Sequence, residues 1–91
     1  MAEWRLTFEL TCYVEGKHLE FLRQVVPRLA KLDPPPMSVV KNGGYKVVFV
    51  VAAEGQFEAV RRQHEIAEQL RTALEDLGTG IDLLNPAPAQ E

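Results

Sequence analysis

Between Tyr45 and Ala53 the chain is apolar at odd positions (Tyr45, Val47, Phe49, Val51) and at even ones (Val48, Val50, Ala52), just after an Asn42-Gly43 pair. Successive side chains of a strand point to opposite faces, so apolar residues on both parities predict a central strand whose two faces both seek cover. A single layer of helices covers one face only. The second face is expected to take a partner, a ligand or another copy of the chain.

The rest of the pattern builds around that strand. From Trp4 to Val14 the residues alternate, with Trp4, Leu6, Phe8, Leu10, Cys12 and Val14 apolar against Arg5, Thr7, Glu9, Thr11 and Tyr13. This predicts a strand with one buried face. From Lys17 the period changes: Leu19, Leu22, Val25, Val26, Leu29 and Leu32 fall on one arc of a helix over 17–32. Pro27 inside it should kink it or split off its last turn, and Asp33 followed by three prolines ends it.

Met37 to Lys41 reads as a short strand that forms a hairpin with the central one. A Gly43-Gly44 loop would oppose Lys41 to Lys46, a destabilising like-charge pair. An Asn42-Gly43 loop avoids this and tolerates positive φ, so Val40 is expected opposite Tyr45 and Ser38 opposite Val47. A long amphipathic helix follows over 55–77, buried through Ala59, Val60, Ile66, Ala67, Leu70, Ala73, Leu74 and Leu77, with Gly78 as its C-cap. Ile81 to Leu84 is a last short strand, and 85–91 is expected as a flexible tail.

The order strand, helix, strand, strand, helix, strand resembles the ferredoxin-like, or α/β-plait, fold. That resemblance implies an α+β domain over 1–84, with a four-stranded antiparallel sheet and both helices on one face. Because this fold hosts many unrelated functions, it constrains function weakly.

Composition narrows the classes. The 91 residues are 46% hydrophobic and 25% charged, with a net charge of −3, which fits one globular domain. A chain this long buries only roughly 60 to 65% of its unfolded surface, so association would help it. Lysines and arginines lie among carboxylates rather than in the basic stripe that a phosphate backbone selects, so no nucleic acid is expected. Cys12 is the single cysteine, no secretory signal is recognisable, and the longest apolar run is too short to cross a bilayer. A cytoplasmic protein without membrane contact is expected.

Chemistry-bearing residues are few. At the junction Tyr13-Val14-Glu15-Gly16-Lys17-His18, basic residues stand at a helix start, where free amides favour an anion. Gly16 resembles the junction glycine that lies beside the amino-acid site of ACT domains, which implies a small anionic ligand at Gly16, Lys17 and His18. Cys12 and His18 are expected near one another on the core side, where a buried thiol beside an imidazole explains them without catalysis. His64 and Glu68 stand four apart on the second helix, with no further ligands to complete a metal site. Gln63 falls in the middle of the apolar arc and must find hydrogen-bond partners there, with water the expected one.

Three enzyme and nucleic-acid families share this order of elements. The segment EGKHLE lacks the arginine and repeated glycines of an acylphosphatase loop. VEGKHLEFLRQ resembles the start of the dimeric α/β-barrel monooxygenases, which would imply a pocket lined by Trp4, Phe8, Phe21, Phe49 and Phe57. An RRM-like domain would stack bases on aromatics of its central strands, but Glu9 and the acidic balance oppose it. No catalytic residue, metal or cofactor is assigned. The expectation is a binding or regulatory module that forms a homodimer or higher homo-oligomer through its outer sheet face, at Val39, Val48 and Val50 with Thr7, Thr11 and Tyr13 at the margin.

Overall fold

The alternating N-terminal segment forms strand β1 (Ala2–Thr11), with Leu6, Phe8 and Leu10 buried and Arg5, Thr7 and Glu9 half-buried. The computed structural model describes residues 2–11, 18–41 and 45–89, with the backbone alone at 18, 19, 40 and 41. The doubly apolar segment is β3 (Tyr45–Ala53), antiparallel to β1, with Leu6 opposite Phe49, Phe8 opposite Val47 and Leu10 opposite Tyr45. Opposed residues share a face, so the even side chains of β1 and the odd ones of β3 form one apolar surface. Phe8 and Phe49 meet edge to face there, with ring centroids 5.5 Å apart.

Two helices close this surface. From α1 (His18–Leu29) come Val25 and Leu29, and from α2 (Gln56–Leu74) come Ala59, Ile66, Ala67, Leu70 and Leu74, all in one core with the inner face of the sheet. Phe21 packs on Tyr45 with centroids 5.1 Å apart. The α-helix expected to reach Leu32 runs through Pro27 and ends at Leu29. Beyond the proline its last turn tightens, with the Lys31 amide donating to Arg28 and the Leu32 amide to Leu29. At the far end of α2 a 3-10 turn (Glu75–Leu77) is closed by Gly78, as expected, at φ 62, where a side chain would be strained.

Arg28 ties the two helices together. Its guanidinium donates to the Ala73 carbonyl at 3.0 Å and grips both carboxylate oxygens of Asp76, one of them at 3.0 Å. A cation thus sits on the carbonyl end of α2, where the helix dipole favours it. The pairing holds the Asp76 carboxyl below its ordinary range and raises Arg28 above its own.

The sheet is antiparallel and has five strands, ordered β2 (Ser38–Lys41), β3, β1, β4 (Gly80–Leu83), with β5 (Ala87–Pro88) also paired to β1. Because β3 occupies one edge of β1 along its length, β4 and β5 share the other. Four strands were expected, and the segment expected to lie free as a tail supplies the fifth. Between Leu83, opposite Phe8, and Ala87, opposite Arg5, the outer strand has one residue more than β1. That extra residue makes a bulge, which re-aims the chain and lets Pro86 bury itself on the inner face.

The hairpin register also differs from expectation. Lys41 pairs with Tyr45, Val40 with Lys46, Val39 with Val47 and Ser38 with Val48, so the connection is three residues long. A one-residue slip exchanges the two faces of a strand. Val39, expected on the outer face, therefore lies on the inner one and packs against the core.

Candidate interface on the open face of the sheet

Neither helix covers the second face of the sheet, and strand register arranges its side chains in rows. Ser38, Val48 and Thr7 form the middle row. On one side of it lie Val50, Arg5 and Ala87, and on the other Lys46, Glu9 and Asp82. Thr11 is exposed at the end of β1, opposite Gly80. Val48, Val50, Arg5, Thr7, Glu9 and Lys46 are each half-buried by their neighbours alone.

Of the residues expected at this interface, the structure brings Val48, Val50, Thr7 and Thr11 onto the face and moves Val39 off it. Tyr13 lies outside the described residues, as do the Asn42-Gly43 turn, Cys12, and Gly16 and Lys17 of the expected anion site. His18 is described only as the backbone start of α1. What the sequence reading missed is the ordered charge around the valines, which becomes visible only once register is known. Glu9 stands between Lys46 on β3 and Asp82 on β4.

The edges of the sheet differ from its face. β2 is four residues long and follows Pro34, Pro35 and Pro36. On the opposite edge the Ala89 amide donates to Glu3 at 2.9 Å, so the preceding position, Pro88, turns its nitrogen outward. A proline there offers no donor to an incoming strand.

The other candidate positions do not converge. Phe8 and Phe49 are fully buried in the core, whereas Phe57 is 89% exposed, so the aromatic residues considered for a pocket do not line one space. His64 is exposed and the Glu68 carboxylate is taken by Arg71. An open groove of about 440 Å³ between the end of α1 and α2 is lined by Leu32, Glu68, Gln69, Thr72 and Ala73. Gln63, 3% exposed, donates its amide to the carbonyls of Leu84 and Thr7. Among the described residues the open face carries no aromatic ring on which a base would stack, and no helix is long and apolar enough to cross a membrane.

No protein-family model, curated protein or solved structure matches the chain.

Proposed function

We propose that the chain is a ferredoxin-like domain, extended at one edge by β5, that works as a binding or regulatory module by associating with a second copy through its open sheet face. The strand order β2, β3, β1, β4 supports the fold reading. One observation carries the functional reading: an uncovered face with Val48 and Val50 at its centre, bordered by two cations, Arg5 and Lys46, and three anions, Glu3, Glu9 and Asp82. Such a surface is close to neutral and carries both signs, which suits a partner with the same surface.

The mode of contact follows from the edges. A short β2 on one edge and Pro88 on the other discourage strand addition, which favours face-to-face packing as the way to cover the valines. The four columns of the face project to about 500 Å² per copy at standard strand spacings. Two copies would then bury about 1,000 Å², at the low end for a specific interface, so association is expected to be reversible and concentration-dependent. The lone Cys12 suits a reducing, cytoplasmic setting.

Sedimentation equilibrium tests this directly. The wild-type chain is expected to populate a dimer as its concentration rises, and Val48→Asp with Val50→Asp to give a folded monomer. An unchanged association state in the double variant, or a wild-type chain that stays monomeric throughout, would remove the reading.

A further inference from the structure

The open face has charges as well as valines, and strand register fixes where they stand. Arg5 and Glu9 lie on β1, one row to either side of Thr7, and Lys46 is opposite Glu9 on β3. Asp82 is opposite Glu9 on its other side, in β4. Among the described residues none of these four forms an ion pair within the chain, where the pairs are Arg28 with Asp76 and Arg71 with Glu68. Glu9 thus has a like charge beside it and a cation next to it that it does not grip.

Building on the sheet-face association proposed above, we infer that Glu9 selects the register of that contact by meeting a cation of the second copy. Two identical faces that pack against each other are related by a twofold axis lying in the plane of contact. If the axis runs across the strands through the row of Thr7 and Val48, the rows of Arg5 and Glu9 exchange, and Glu9 meets the partner's Arg5. If it runs along the strands between β1 and β3, those strands exchange, and Glu9 meets the partner's Lys46 while Thr7 meets the partner's Val48. The twist of about 30° between packed sheets leaves these central rows in contact.

Both arrangements give the carboxylate an opposite charge, twice over by symmetry. A slip of two rows, which centres a crossing axis on the row of Glu9, sets Glu9 against the partner's Glu9, and a slip of one row sets it against the partner's Thr7 or, in the other direction, against the partner's Glu3. None of these slips supplies a cation, and those that bring like charges together are disfavoured, so Glu9 favours the right register over its neighbours.

Charge exchange decides the matter, with the dimer dissociation constant as the readout and circular dichroism as the check of folding. Glu9→Gln is expected to weaken the dimer by about tenfold and to flatten its dependence on salt. Glu9→Lys is expected to weaken it further. Adding Arg5→Glu to Glu9→Lys restores the dimer if the axis crosses the strands, and adding Lys46→Glu restores it if the axis runs along them. A dissociation constant unmoved by Glu9→Gln, or a failure of both folded exchange variants to recover binding, would overturn the assignment of Glu9. The sheet-face reading would survive that result if Val48→Asp with Val50→Asp still dissociates the dimer. If that valine variant leaves the dimer intact, the sheet-face reading itself is wrong.

Discussion

The side-chain amide of Gln63 donates to the carbonyl of Leu84 at 2.6 Å, at the point where β4 gives way to the bulge before β5. The same nitrogen lies 3.4 Å from the carbonyl of Thr7, which also receives the Leu84 amide. A polar residue in the apolar stripe of α2 therefore supplies a donor to the sheet where its own ladder is interrupted. Helix, central strand and edge strand are fastened at one place.

Replacing Gln63 by Leu should thus cost more than its gain in apolar burial. The Leu84 carbonyl would lose its donor inside the protein, a penalty of about 1–3 kcal/mol. Gln63→Glu should be worse at neutral pH, because a carboxylate would face two carbonyl oxygens. Burial among those oxygens raises the folded-state pKa of the new carboxyl. Stability should then be regained as pH falls toward the unfolded value of about 4.3, where the protonated group donates again. Urea unfolding of the three proteins at pH 7 and pH 4.5 measures both effects. Equal stability of wild type and Gln63→Leu would show that the hydrogen bond contributes nothing net.

The pair of Arg28 and Asp76 has a pH signature of a different kind. The folded-state pKa of Asp76 is lowered, first by its hydrogen bond from Arg28. Its contribution to stability is therefore complete above the unfolded carboxyl value of about 3.9 and is lost as pH falls through the lower folded value. Asp76→Asn should lower the urea midpoint by a constant, small amount from pH 5 to pH 8, and the difference from wild type should close as pH falls through the lower folded value of Asp76. Midpoints measured across that range test the linkage, and a gap that widens on acidification would contradict it.

The start of α2 leaves room for improvement. Its N-cap is Gly55, extended at φ −171 and ψ −175, with no side-chain cap and nothing within 4 Å of where a Cβ would stand. Any residue adopts that backbone, and serine there would cap a free amide while reducing the freedom of the unfolded chain. Gly55→Ser should stabilise the domain by about 0.5–1 kcal/mol, which raises the melting temperature by roughly 2–6 °C. Calorimetry reads this, and a lower melting temperature would mean that the glycine serves another purpose.

Much of this architecture was legible in the residues, for identifiable reasons. Regular spacing gave the two helices and the inner face of β1, because each stripe is buried by one neighbour. Phe57 falls off the arc of Ala59, Gln63, Ile66 and Leu70, and its exposure follows from that spacing. The hairpin register was not legible. Val39 and Val40 are the same residue type, so apolar pattern could not decide which of them faces the core, and the preference for a two-residue turn chose wrongly. β5 escaped for another reason. It is held by backbone pairing of Ala87 and Pro88, and small side chains leave no periodic signal. The candidate interface was half legible: Val48 and Val50 announced an uncovered face, whereas the placing of Glu9 between Lys46 and Asp82 depends on register.

The hydrogen bond from Ala89 to Glu3 brings residue 89 beside residue 3 at the same end of two neighbouring strands. The chain enters at residue 3 and leaves at residue 89, at a single corner of the domain. A short linker could bridge that corner, so new termini opened elsewhere would give a circular permutant with the same sheet. For the same reason the unit could be grafted into a surface loop of a host protein without prying the host apart.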